Sequence, residues 1–321
     1  MHRQTLTALL LGAILITPLT AAAQQYPTKA IRFVVPFAPG GGTDIIGRLI
    51  AEKLQARWGQ PVIVENRGGS ASNIGADAVA KSAPDGYTLL VTAQGALVIN
   101  KSLYSKLAYD PDAFVPVSML ASTPAVLLIH PKVPANNVQE LIAHARAHPG
   151  KLNYATQGIG TSAHLTSELF NASADVKIVH VPYVGTARAL LDLVAGEVSM
   201  LFGEIATAGP HIRSGKLRAL GVGSEKRSAL MPDLPSVAEV LPGFYSVTWW
   251  GMVAPPGTPA GTAGFVSAAV ADALKQADVN KRLLDLSIEG AGSTPAELAR
   301  YMQREREYWG KIIRMSGARA D

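Results

Sequence analysis

The sequence predicts an α/β protein of two lobes, each a mainly parallel sheet flanked by helices, with the chain crossing between them twice. Three observations predict it. Short, nearly all-apolar runs alternate with segments of helical period. The rhythm breaks at Pro124 and then starts again. After Pro242-Gly243 one last strand-like run is followed only by helices, which have no sheet of their own to cover.

Each element has its own signal. Ile31 to Val35 reads as a strand, and Asp44 to Arg57 as a helix with Ile45, Ile46, Leu49, Ile50 and Leu54 on one side. Val62 to Val64 is the next strand. A helix through Ala76 and Val79 stops at Pro84-Asp85-Gly86, and Tyr87 to Val91 follows as a strand. The second series runs from strand Ala125–Ile129 through helix Val138–His148 and strand Leu152–Ala155. It continues with a helix over 161–171, strand Ile178–Val181, helix Thr186–Ala195 and strand Met200–Phe202. A helix through His211 and strand Ala219–Val222 complete it. Ser246 to Val253 is the returning strand, and helices follow near 259–276, 279–286 and 295–314. The economical topology sends the chain back to finish the first lobe. Crossings near Thr123-Pro124 and Pro242-Gly243 then form a two-segment hinge. They divide the chain into 24–124 with 244–321, and 125–243.

The N-terminus carries Arg3, an apolar run from Leu6 to Ile16, and Ala21-Ala22-Ala23. That layout predicts a signal peptide over 1–23, with an ordinary buried helix as the alternative. The apolar run is too short for a permanent membrane helix. No Cys follows it, so a lipid anchor on cysteine is excluded. Removing it leaves roughly 300 residues, room for two lobes of ordinary size. The chain contains no Cys at all. This fits an oxidising compartment and excludes thiol catalysis and cysteine metal sites. The net charge of +5 is mild and the Lys and Arg residues are scattered, which argues against nucleic-acid binding.

The sharpest motif is Pro36-Phe37-Ala38-Pro39-Gly40-Gly41-Gly42-Thr43-Asp44, between a strand and a helix. Its glycines let a ligand approach the backbone, and the helix N-terminus behind it favours an anion. No Gly-Lys-Ser/Thr follows, so it is not a nucleotide-binding P-loop. A plain turn with Asp44 as helix cap is the alternative. Asn66 to Asn73, with Ser70, Ser72 and Asn73 as candidate donors, is either a second ligand loop or a simple connection.

Gln157-Gly158-Ile159-Gly160-Thr161-Ser162-Ala163 matches a dinucleotide fingerprint, but no acidic residue ends strand Ile178–Val181. It reads instead as a second anion loop, facing the first. His164 either faces the ligand or makes a structural hydrogen bond. Tyr183, Gly185 and Thr186 form a further strand-to-helix loop, whose Tyr lines the cleft or packs. Gln94 and Glu204 stand at two more strand ends and complete the candidate set. No Gly-x-Ser-x-Gly or His-Glu-x-x-His is present, and the seven His residues do not cluster at metal-ligand spacing. No cofactor and no catalytic residue is expected. Trp249-Trp250 should point to opposite faces of their strand and fill the core. Arg304-Glu305-Arg306-Glu307 reads as a solvated helix face.

These residues resemble the Bug family, the substrate-binding proteins of tripartite tricarboxylate transporters. The likeness rests on Tyr26-Pro27, the Pro39 to Asp44 loop, Glu65-Asn66-Arg67-Gly68-Gly69 and Pro84-Asp85-Gly86-Tyr87. It continues through Tyr154-Ala155-Thr156, His164-Leu165, His180-Val181-Pro182-Tyr183, Gly215 to Leu220, Pro232 to Val237 and Trp309-Gly310-Lys311. It covers essentially the whole mature chain. The resemblance implies a periplasmic-binding-protein fold of the second type. It implies a small carboxylate ligand, held largely by backbone amides and waters. Gly41, Gly42 and Thr43 on one side and Gly158, Gly160 and Thr161 on the other would be the main donors. It further implies delivery of the ligand to a membrane permease through a transient contact. A monomer is expected, located in the periplasm after export through the N-terminal signal peptide. A co-receptor that reports to a membrane sensor, and an enzyme with an unrecognised site, are the alternatives. The chain departs from the family pattern at Val184 and at Gly203-Glu204.

Overall fold

The computed structural model describes residues 26–183 and 185–320. The expected signal peptide, its cleavage after Ala23 and the Val184 departure lie outside the described residues. Strand β1 (Ile31–Val35) feeds helix α1 (Gly42–Trp58), and β2 (Val62–Asn66), α2 (Asn73–Ala80) and β3 (Thr88–Ala93) continue the pattern. One π-helical turn over Gly95–Ile99 leads to the short α3 (Asn100–Leu103) and the long β4 (Val115–Pro124). Next come β5 (Val126–Ile129), α4 (Val138–Ala147), β6 (Asn153–Thr156), α5 (Ser162–Ala174) and β7 (Val179–Pro182). Then follow α6 (Thr186–Ala195), β8 (Met200–Gly203), α7 (Ile205–Arg213) and β9 (Arg218–Val222). The chain returns through β10 (Val247–Ala254), α8 (Ala260–Leu274), α9 (Ala277–Asp285), β11 (Glu289–Gly290) and α10 (Pro295–Ser316).

The strands form two sheets flanked by helices, ordered β11-β4-β10-β3-β1-β2 and β7-β6-β8-β5-β9. Both are mixed, which corrects the expectation of mainly parallel sheets. In the first, β1 is parallel to β2 and β3, whereas β10 is antiparallel to β3 and β4. In the second, β6 is parallel to β7 and β8, whereas β5 is antiparallel to β8 and β9. The physical reason lies in the crossings. A strand that arrives from the other sheet starts at the edge where the strand–helix units end, so it must run against them. β5 and β10 are those strands. Three backbone bonds stitch the crossing region: Ala125 N to Ser246 O at 3.2 Å, Ser246 N to Gly223 O at 2.7 Å and Gly223 N to Ala125 O at 2.7 Å.

Trp249 and Trp250 are both buried, in different apolar clusters on opposite faces of β10. The larger cluster runs from Val34 and Leu97 through Trp249 and Trp309 to Leu127, Phe170 and Phe202, so one core reaches under both sheets. Helix α10 contributes to it. Thr294 and Glu297 open this helix with a capping box, and Pro295 sits in its first turn. It packs against β4 of the first sheet and α5 of the second. Its charge run is not a solvated face throughout. Glu305 is 1% exposed and accepts the indole N–H groups of Trp249 and Trp309, each at 3.1 Å. The inner side of α10 follows helical spacing through Leu298, Met302, Glu305, Trp309 and Ile312, and Glu305 falls on it.

Candidate functional site

In open α/β sheets the ligand crevice lies beyond the carboxyl ends of the parallel strands. Here β1, β2 and β3 end in one set of loops, and β6, β7 and β8 in another. Three contacts show that these two edges meet. Gln94 Nε2, just past β3, lies 3.5 Å from Ser162 Oγ at the start of α5. Thr166 Oγ1 of α5 lies 2.6 Å from Ser246 Oγ in the returning crossing. Gly160 packs against Leu103 of α3 so closely that a Cβ there would run into the Leu103 side chain.

Asp44 organises the loop after β1. It is buried and accepts from Gly40 N–H at 2.9 Å, from Arg48 Nε at 3.0 Å and from Asn66 Nδ2 at 2.9 Å. Asn66 also donates to Phe37 O at 3.1 Å. Burial pulls the Asp44 carboxyl up, but the hydrogen bonds from Arg48, Gly40 and Asn66 outweigh it and hold it below the usual range. Asp44 thus folds the loop rather than capping the helix: it sits in the first turn of α1, and Gly41 holds the N-cap position without a side-chain bond. Pro39, Gly40 and Gly41 remain exposed. Thr43 is buried, and its Oγ1 accepts from Trp250 Nε1 at 3.0 Å. Gly42 lies against the same ring, where a Cβ would come within 3.2 Å. As the first residues of α1, Gly42 and Thr43 have no intrahelical acceptor. Among the described residues no other partner takes their N–H groups.

The loop after β2 is differently occupied. Ser70, Ala71 and Ser72 all adopt left-handed backbone angles, uncommon for residues with a Cβ. Ser72 is buried. Asn73 Oδ1 accepts from Asn100 Nδ2 at 2.7 Å and from the Tyr109 hydroxyl at 3.1 Å, and Asn100 also donates to Ala71 O. Ser70 and Asn73 line a cavity of about 570 Å³ shared with Arg67, Asp77, Lys81 and Tyr104. Gln94 is buried, with its Oε1 accepting from Trp249 N–H at 2.9 Å.

Much of the donor capacity of the loop after β6 is spent internally. Gly158 N–H donates to Thr156 Oγ1 at 3.2 Å, and Gly158 O accepts from Thr161 Oγ1 at 2.8 Å. Gly160 N–H donates to His164 Nδ1 at 3.1 Å, so His164 makes the structural hydrogen bond. Thr161 caps α5, and Gln157 and Ser162 are half-buried beside it. His164 stacks on His180 at 4.3 Å, and His180 stacks on Tyr154 at 4.9 Å. His180 Nε2 is 2.7 Å from Thr156 Oγ1. Burial, then the neighbouring His164, pushes His180 down to about 4, and burial lowers His164 as well. Both rings are therefore neutral at pH 7. The Tyr183 hydroxyl donates to Asp192 at 3.0 Å, so it packs toward α6. Gly185 and Thr186 are exposed at the start of α6, and Glu204 is exposed at the start of α7.

Sequence reasoning missed three contributors: Trp250, Leu103 and the His180 ring beneath the loop. Only the last carried a signal, a histidine within an otherwise apolar strand. Among the described residues no three His, Asp or Glu side chains gather in a way that could hold a metal ion.

The chain is similar to known proteins over nearly its whole length. It is 36% identical to Protein BugT of Bordetella pertussis, across 93% of this chain and 92% of that one. The solved structure of Rhodopseudomonas palustris Rpa4515 with adipate is similar at 34% identity and a TM-score of 0.80, covering 92% of this chain and 99% of that one. MatC from the same organism, with bound malate, gives 36% identity and a TM-score of 0.76, covering 90% and 100%. The model of the TctC family, the tripartite tricarboxylate transporter family receptor, matches residues 46–318. With two sheets whose strand ends face each other, glycine loops at those ends and a family match across most of the fold, the chain belongs to the tripartite tricarboxylate transporter receptor family, a family of receptors rather than enzymes.

Proposed function

We propose that the chain is a periplasmic receptor that captures a small carboxylate between two lobes and presents it to the membrane component of a tripartite transporter. The lobes in this reading are 24–124 with 244–321, and 125–243, behind a signal peptide over 1–23. The observation that carries the reading is the pair of facing loop edges, joined across the cleft by Gln94 and Ser162. Similar receptors hold adipate and malate, which supports a carboxylate as the ligand here. The free N–H groups of Gly42 and Thr43 at the start of α1 supply the anion-facing donors on the first edge. On the second edge the ligand meets the start of α5 and the residues after β7 and β8. The receptor acts as a monomer. A ligand that bridges both edges favours the closed arrangement by its differential affinity for it.

The test is a thermal-shift series with malate, adipate, citrate, benzoate and glutamate. A ligand at a hundredfold excess over its Kd adds about 2.7 kcal/mol to the apparent stability. No shift with any carboxylate up to millimolar concentration would sink the reading.

A further inference from the structure

We infer that Glu204 sets the ligand class, favouring a carboxylate whose far end carries a hydrogen-bond donor, a hydroxyl or an ammonium, over an α,ω-dicarboxylate. This rests on the carboxylate reading given above and sharpens it.

The placement follows from strand register. β6 and β8 run side by side in parallel, with Tyr154 opposite Met200. Four residues further along each strand lie Gly158 and Glu204, which leave the same sheet edge together. Adjacent strands are about 4.8 Å apart, so Glu204 begins beside the glycine loop of the second edge. Its backbone is fixed: Glu204 O accepts from Ala208 N and from Thr207 Oγ1, both at 3.1 Å. Its carboxylate is not fixed. Glu204 occupies the position before α7 without making a capping bond. Among the described residues no hydrogen bond or ion pair engages that carboxylate.

The surroundings do not neutralise it. Gly158 and Gly160, the glycine amides of the loop after β6, already donate to Thr156 and His164. Water reaches the side chain, while the surrounding protein pushes its carboxyl upward. A second carboxylate brought to this edge would meet a like charge with no cation between them. A hydroxyl or ammonium would meet an acceptor with open lone pairs. The first edge has the opposite character, with the unpaired N–H groups of Gly42 and Thr43. The ligand therefore lies with its carboxylate at the first edge and its donor end at Glu204.

Titration calorimetry at pH 7 on the signal-free chain and its Glu204→Gln variant tests this. One ligand set is succinate, 4-hydroxybutanoate and 4-aminobutanoate; the other is adipate, 6-hydroxyhexanoate and 6-aminohexanoate. The wild type should prefer a donor-ended member over its dicarboxylate by tenfold or more in at least one set. Glu204→Gln should reduce that ratio at least tenfold, mainly by tightening the dicarboxylate. Circular dichroism checks the fold, and Glu204→Ser takes the same measurement if the Gln variant is misfolded. Preference of the wild type for dicarboxylates in both sets, or an unchanged ratio in the variant, overturns the role of Glu204 and leaves the carboxylate reading standing. If none of the six compounds binds either protein, this inference falls; the carboxylate reading falls only if the thermal-shift series with malate, citrate, benzoate and glutamate is blank as well.

Discussion

Gln94 joins Trp249 twice through its own residue: its backbone N–H donates to Trp249 O at 3.1 Å, and its Oε1 accepts from Trp249 N–H at 2.9 Å. The end of β3 is thereby locked to the start of β10. The same side chain extends its nitrogen toward Ser162 at the start of α5, beside the second sheet.

The two contacts should differ in weight. Gln94→Ala leaves a buried Trp249 N–H without an acceptor, which costs about 1–3 kcal/mol. Ser162→Ala removes only a long contact at a half-buried hydroxyl and should cost less than about 1 kcal/mol. Urea unfolding of both variants measures this. Equal losses would contradict the assignment of Gln94 as a structural tie.

Gly41 and Gly160 should respond differently to valine. Gly41 has an ordinary extended backbone, and a Cβ there meets nothing nearer than Ala38 O at 3.9 Å. Gly41→Val should fold normally and lose ligand, because at the proposed site the branched side chain would stand in the path of the anion. Gly160 has φ +76 and no room beside Leu103. Gly160→Val should lose several kcal/mol of stability, on the order of an overpacking and backbone-strain penalty combined. Thermal unfolding with and without ligand separates the two. A Gly160→Val protein as stable as the wild type would show that the loop does not pack as described.

His180 should give the receptor an acid-side weakness. Burial and the neighbouring His164 lower its folded value from 6.5 to about 4. Between those values the unfolded chain binds a proton that the folded chain refuses. The stabilising contribution is therefore complete above pH 6.5 and is lost as pH falls toward 4. His180→Phe keeps a ring against Tyr154 and should flatten this part of the stability–pH curve, with His164 leaving a residual slope. Denaturation midpoints between pH 4 and 7 measure it, and an unchanged slope would rule the effect out.

Most helices and short strands were legible because apolar spacing and glycine or proline punctuation are local. Strand direction was not. Nothing in Val247 to Ala254 distinguishes an antiparallel strand from a parallel one; the direction follows from where the chain re-enters the sheet. β4 was invisible for another reason: Pro116, Ser118, Ser122 and Thr123 interrupt its apolar pattern, although it is buried along much of its length. At the site, the loop after β1 was readable as a glycine run before a helix. The loop after β6 looked equivalent, yet Thr156 and His164 take up its glycine amides, and that depends on side-chain placement no linear pattern reveals. Glu305 likewise hid in a charged run, because Trp249, which draws it inward, lies on a distant strand.

Trp250 has one consequence for watching this receptor at work. Its indole nitrogen is bonded to Thr43 and its ring lies against Gly42, the two residues proposed above to meet the anion with their backbone N–H groups. The other indoles, at 58, 249 and 309, have different neighbours, and two of them share Glu305. If the ligand binds at the proposed site, Trp250 is a built-in optical gauge beside it: its emission should shift on binding, with no attached dye, and Trp250→Phe should silence that signal.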